Sequence, residues 1–442
     1  MGLIKFVSLI VFTAFVPTAV CAEEPLDYPL TVKRMFDLAD QYSSSVKAYE
    51  LAGKMAEESV RVVKNDRLPS LTLSASASYL GDVWIAERNF SGGHIERMPG
   101  NANIGNNFAL EASYVVYAGG AVQHGVKMAN LQMESAHVAY EQNRQNVRFL
   151  LIGNYLELYK LYNQKEVYLK NIEQTKMLLK DMGAKQKEGL ALRNDITRYE
   201  LQLKSLELEL TQIENGIVIL NNRLVTTLHL PENANIIPDS SMLEHLPVYS
   251  SEEQWQDLAS IESPLLKLSQ LNIERKEQHE KIVKSDYIPS FVLFAGDKLD
   301  GPLTFEIPTI DKNLNYWYVG LGMKYNIGSL YTNNKKMRTA KLSTQHAAEE
   351  HRLQQENVSI EVKSAYTRFA ESFTIYETQV KSLELAIMNY DVVNKRYLND
   401  LALITDMLDA SNSKLNAELQ LENARINILY NYYQLQKAAG IL

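Results

Sequence analysis

Lys64-Asn65-Asp66-Arg67-Leu68-Pro69-Ser70-Leu71 is written twice in this chain. It returns as Lys284-Ser285-Asp286-Tyr287-Ile288-Pro289-Ser290-Phe291, a shift of 220. Two further landmarks repeat in the same order. Tyr117-Ala118-Gly119-Gly120 returns as Asn326-Ile327-Gly328-Ser329. Gly189-Leu190-Ala191-Leu192-Arg193-Asn194-Asp195 returns as Asp400-Leu401-Ala402-Leu403-Ile404-Thr405-Asp406, a shift of 211. A unit this long exceeds any solenoid repeat, so the chain reads as an internal duplication.

Working outward from Pro69, a helix over about 31–66 precedes the proline, which must end it. A strand over about 69–80 follows. Leu71, Leu73, Ala75, Ala77 and Tyr79 alternate with Thr72, Ser74, Ser76 and Ser78. After a Gly/Asn-rich loop at 81–106, a strand at about 107–118 places Phe108, Leu110, Ala112, Tyr114 and Val116 on one face. The second half has strands at about 289–297 and 315–327. In the latter, Trp317, Val319, Leu321, Met323, Tyr325 and Ile327 share a face opposite Lys324 and Asn326. Strands of about 10 residues suit a tilted membrane crossing, and Tyr79, Tyr117, Trp317, Tyr318 and Tyr325 suit its interfacial girdles. A soluble sandwich with one wetted face fits the same alternation, and at this point both readings stand.

Each strand pair opens into a very long helix. Residues 120–182 hold no proline and carry apolar residues such as Leu150, Tyr155, Leu158, Leu161, Tyr162, Leu169 and Ile172. Such a helix reaches ~95 Å, too long for a globular core. Its counterpart covers about 330–396, and return helices cover 194–229 and 405–438. The expected division is 1–22, a first repeat over 23–229 with its helical hairpin at 120–229, a connecting segment at 230–263 marked by Pro231, Pro238 and Pro247, and a second repeat over 264–442 with its hairpin at 329–438.

Residues 1–22 read as an export signal: Lys5, the apolar run Phe6 to Val16, then Val20-Cys21-Ala22 with cleavage after Ala22. Cys21 is alternatively a lipidation site, although Val20 stands where a lipoprotein signal prefers a small residue. No later stretch is apolar for the ~18 residues of a membrane helix. The mature chain is therefore either soluble outside the cytoplasm or inserted as a closed β-barrel.

The 442 residues carry 45 Lys+Arg against 53 Asp+Glu, a net charge of −8, which argues against nucleic acid as partner. The single cysteine excludes a disulfide framework and a Cys-based zinc site. His346 and His351 are five apart, off the spacing of a helical metal pair. Gly119-Gly120 lacks the Lys-Ser/Thr of a phosphate loop, and no GxSxG elbow occurs. No catalytic residue, cofactor or metal ligand emerges, so an enzyme is not expected.

The stretch Tyr397-Leu398-Asn399-Asp400-Leu401-Ala402-Leu403-Ile404-Thr405-Asp406-Met407-Leu408-Asp409-Ala410 resembles the second hairpin tip of the TolC family of outer-membrane efflux proteins. Asn416-Ala417-Glu418 and Leu421-Glu422-Asn423-Ala424-Arg425 continue that likeness. Glu188 to Asp195 resembles the first tip, and the two Pro-Ser pairs resemble the family's barrel entrances. The resemblance implies an α+β fold: long antiparallel coiled-coil hairpins forming an α-barrel, plus four strands given to a 12-stranded β-barrel shared by a homotrimer. It implies the exit duct of a tripartite efflux or type I secretion system in a Gram-negative outer membrane. Its partners there are outer-membrane lipid, a periplasmic adaptor and an inner-membrane pump of resistance-nodulation-division or ABC type.

The same resemblance places Asp406 and Asp409 in the acidic pore constriction and pairs Tyr397 with Asp195 as a latch. The family's basic latch residue falls at Ala402 here, leaving Arg193 or Arg396 as substitutes. From the residues alone, all three aspartates equally suit helix N-termini. Gly189, Leu190, Ala191, Leu401, Ala402 and Leu403 form apolar turns that either meet the adaptor or pack on each other. The competing reading is a soluble periplasmic coiled-coil adaptor or scaffold. Adaptors carry lipoyl-like modules and an anchor, and neither is visible in this sequence.

Overall fold

A computed structural model of the chain describes residues 26–442 except 82–83, 87, 89–94, 98–101, 190–191, 240, 242–246, 248–250, 304–309 and 400. The expected export signal, with Cys21, lies outside the described residues, as do Leu190 and Ala191.

Strand β1 (Leu26–Leu30) leads into α1 (Val32–Tyr42) and α2 (Ser44–Lys64). The single helix expected at 31–66 is therefore two. Ser43 leaves the helical region at φ −58° and ψ 124°, yet its N–H still bonds Ala39 O at 3.0 Å. The break recurs 220 residues on. Between α5 (Glu252–Glu262) and α6 (Pro264–Ser285), Ser263 has φ −55° and ψ 117° and bonds Ala259 O at 3.1 Å. The helix starts repeat as well: Thr31 caps Arg34 N and Ser251 caps Gln254 N through their side chains. Thus α5, inside the connecting segment, is the structural counterpart of α1. That segment also holds β6 (Ala234–Pro238), which pairs in parallel with β1.

A short 3₁₀ turn at Asn65–Arg67 joins α2 to β2 (Ser70–Tyr79). Short strands β3 (Trp84–Ala86) and β4 (Ile95–Arg97) form a hairpin of their own before β5 (Ile104–Ala118). In the second half come β7 (Ser290–Gly301) and β8 (Leu314–Lys324), which stops short of the expected 327. Four strands form one antiparallel sheet in the order β2-β5-β7-β8. Leu71 faces Ala112, Ala112 faces Ala295 and Ala295 faces Val319, so the apolar sets expected from alternation fall on one face. That face is bare: Leu71, Leu73, Trp317, Val319 and Leu321 are all exposed. The opposite face carries Thr72, Glu111 and Tyr318 in register. Lys298 Nζ lies 2.7 Å from Glu111 there, and Tyr318 OH donates to the same carboxylate at 3.2 Å. Glycines admit the inward rings: a Cβ on Gly296 would sit 2.6 Å from Tyr318, and one on Gly320 2.6 Å from Phe294.

The long helices are α3 (Ala121–Lys187) and α7 (Ser329–Leu398), of 67 and 70 residues, hence ~100 Å each. Return helices α4 (Arg193–Leu228) and α8 (Ile404–Ala439) pack along their lower halves. Near the sheet the helices run α2-α3-α6-α7 side by side, and towards the tips α4-α3-α8-α7. The helical row therefore continues the strand order. A core at the waist gathers Leu30, Met35, Leu151, Ile152, Tyr155 and Ile236. A second gathers Trp255, Val362, Phe369, Ile428 and Leu435.

Candidate functional site

The two hairpin tips lie together at the end of the helices far from the sheet. Each is a short turn between a long helix and its return. At the first, Gly189 takes φ +76° and its N–H bonds Gln186 O at 3.0 Å. A left-handed residue here stops the helix, which glycine does without steric cost. At the second, Leu401 N–H reaches back to Arg396 O at 2.8 Å. The return helices then start alike: Asp195 N bonds Leu192 O and Asp406 N bonds Leu403 O, both at 3.1 Å.

Asp406 is exposed, and its Oδ2 accepts the Leu403 N–H at 3.1 Å. It thus closes the helix start within its own chain while keeping its charge at the tip. Asp409, three residues on, is also exposed. Asp195, at the equivalent position of the first tip, is half-buried. Leu192, Leu401 and Leu403 are each about 70% exposed, at 71%, 68% and 70%, so the apolar turns do not cover one another within one chain. Ala402 is half-buried. Arg396 donates to Leu401 O at 3.4 Å and so braces its own turn.

The hairpins are joined behind these turns by a small core of Met182, Ile196, Tyr199, Ile404 and Met407. Tyr397 packs against this core, and Lys185 Nζ stands 5.4 Å from its ring centre. Lys185 was not legible from the sequence, since nothing in the heptad pattern marks it. Tyr199 is 2% exposed and its hydroxyl has no hydrogen-bond partner among the described residues. Burial, and after it the nearby Tyr397 and Tyr390, push its pKa well above the ordinary tyrosine value. Its counterpart 211 residues on is Ala410, also buried, and that asymmetry was the available signal for Tyr199.

No metal-binding group of His, Cys, Asp or Glu occurs among the described residues, and no described helix is long and apolar enough to cross a membrane.

The fold is shared with solved outer-membrane proteins. The chain superposes on VceC of Vibrio cholerae with a TM-score of 0.77 and 18% identity, over 92% of this chain and 96% of that one. CmeC of Campylobacter jejuni, described as an outer membrane channel, gives 0.74 and 15% over 92% and 85%. The open state of the Neisseria gonorrhoeae MtrE outer membrane channel gives 0.67 and 16% over 92% and 88%. At such identities the likeness is one of fold. No curated protein matches the chain in sequence. Residues 36–228, nearly the whole first repeat, match the family model described as outer membrane efflux protein. The first repeat is thus similar to the outer membrane efflux protein family, and the fold of the whole chain is that of solved outer-membrane channels.

Proposed function

We propose that three copies of this chain close into one exit duct, with the sheets forming a 12-stranded barrel and the helices a periplasmic tunnel. One observation carries the reading: among the described residues the sheet ends in β2 and β8, each with one unpaired edge, and one face of the sheet is bare and apolar. Neither a free edge nor an exposed apolar face is stable alone. Pairing β2 of one copy with β8 of the next removes every edge, and lipid covers the apolar face. A soluble scaffold has no use for such a sheet.

An adaptor and an inner-membrane pump complete the system in this family. The turn residues Gly189, Leu401, Ala402 and Leu403, together with Leu190 and Ala191 from the sequence, are the ones we assign to the adaptor. We assign Asp406 and Asp409 to the constriction, where three copies set six carboxylates around a narrow opening and favour cations. Tyr397 and Asp195 are assigned to contacts between neighbouring hairpins that hold the tips shut. The pump is of resistance-nodulation-division or ABC type, and the cargo is set by it.

The test is planar-bilayer conductance of the detergent-purified protein. The expected result is a small, stable, cation-preferring conductance. Protein recovered in the soluble fraction with no channel insertion would overturn the duct.

A further inference from the structure

A cavity of about 970 Å³ lies just below the sheet, lined by all four upper helices. Its walls come from equivalent faces of the two repeats. Ser59 and Val63 of α2 correspond, at the shift of 220, to His279 and Val283 of α6. Gly125, Met128 and Gln132 of α3 correspond, at 211, to Lys336, Thr339 and Ser343 of α7. A space touching the two outer helices of a row as well as the two inner ones lies on the concave side of that row. The other side of α3 bears Arg144 and Arg148 beside the chain end at Leu442. In a closed ring of such rows, the concave side is the lumen.

The cavity wall carries four cations, Arg275, Lys276, Lys335 and Lys336, and no carboxylate. None of the four forms an ion pair among the described residues. Arg275 is tied only to neutral acceptors, Gln132 and Asn272. On the outer side the opposite holds: Arg144 pairs with Glu141 at 2.6 Å, and Arg148 pairs with Asp40. The cations belong to the second repeat alone, since the equivalent first-repeat positions are Met55, Ala56, His124 and Gly125. In a chain of net charge −8, this is a local reversal of sign. Farther from the sheet on α7, His346 lies 3.6 Å from Glu350.

We infer that this cavity is an anion-binding belt in the duct wall, taking solutes that bear phosphate, sulfonate or carboxylate groups. The inference rests on the trimeric duct reading, in which three copies set twelve such cations around one lumen. Apolar wall residues (Val63, Met128, Ala129, Val283 and Ala340) lower the local dielectric, and like charges without counter-charges repel until an anion is shared. The belt and the acidic tip then act in series, with opposite sign preferences at the two ends of one tunnel.

The experiment is current block by inorganic tripolyphosphate added to reconstituted channels on the barrel side. Wild type is expected to be blocked at a concentration that rises at least tenfold in R275Q/K276Q/K335Q/K336Q. K335Q/K336Q alone changes two exposed side chains and gives at least a threefold rise. It carries the test should the fourfold variant not assemble. A conducting wild type that tripolyphosphate does not block, or equal block in wild type and variants, overturns the belt. Absence of conductance before any anion is added overturns the duct itself, a separate result.

Discussion

Asp406 accepts the amide of Leu403 and carries a charge at the hairpin tip, and the two roles separate by substitution. Asparagine keeps the acceptor and removes the charge. Asp406→Asn with Asp409→Asn is therefore expected to reduce cation preference, read as the reversal potential in a salt gradient, with little change in the thermal midpoint. Asp406→Ala removes both and is expected to lower stability as well, by about 0.3–1 kcal/mol. Unchanged selectivity in the asparagine pair would remove these residues from the constriction. Tyr199 behaves differently because its buried hydroxyl has no partner among the described residues. Leaving such a group unsatisfied costs about 1–3 kcal/mol, so Tyr199→Phe is expected to raise thermal stability. A fall in midpoint would mean that the hydroxyl finds a partner in the assembled tip.

At the level of elements, Tyr155 fastens the waist. Its hydroxyl, on α3, donates to Leu30 O at the end of β1 at 2.5 Å and accepts from Asp239 N beyond β6 at 2.8 Å. Burial pushes its pKa from 10.0 to about 12. The folded state holds the proton more tightly than the unfolded chain. The stability this provides is complete below pH 10 and is lost as pH rises from about 10 to 12. Urea midpoints measured across that range should fall, and the fall should be smaller in Tyr155→Phe, whose baseline is lower by the two lost bonds. Much of this scale was legible. Strand alternation marked three of the four sheet strands, the repeated Pro-Ser stretch marked β7, whose two faces are both apolar at Phe291 to Ala295, and the absence of proline marked both long helices. The break at Ser43 was not legible as Ser263 was: Pro264 forces the second, whereas the first is marked only by Ser43-Ser44-Ser45. The strand β6 was hidden because its partner β1 lies some 208 residues away, as Asp27 does from Asn235. Within the site, Asp195 and Asp406 were visible by position in a repeated motif, whereas Asp409 and Tyr397 were marked only by the family resemblance. Lys185 and the orphan hydroxyl of Tyr199 exist only through packing between hairpins.

For the whole molecule, the decisive feature is that the helical row, like the sheet, ends in two unsatisfied edges. On α7, Leu342, Leu353 and Ile360 are exposed on the side opposite the buried Val358, Val362 and Ala365. At the other end of the row, α2 exposes Leu51, Met55 and Val62, and lower down α4 exposes Leu201, Leu208 and Ile219. Two apolar edges on opposite sides of one chain make a heterologous contact, which closes into a ring when each copy turns by a fixed angle. In the proposed 12-stranded barrel, four strands per copy fix that angle at a third of a turn. The α7 edge then meets α2 and α4 of the next copy, in line with the β8–β2 pairing above. Leu353→Asp with Ile360→Asp would put two carboxylates into this seam, where burial without a partner is costly. Both side chains are exposed in the single chain, so helicity by circular dichroism should be unchanged. Light scattering of the detergent-purified protein should then show loss of the trimer, and bilayer conductance should disappear with it. A double variant that still formed trimers would move the seam away from this face of α7.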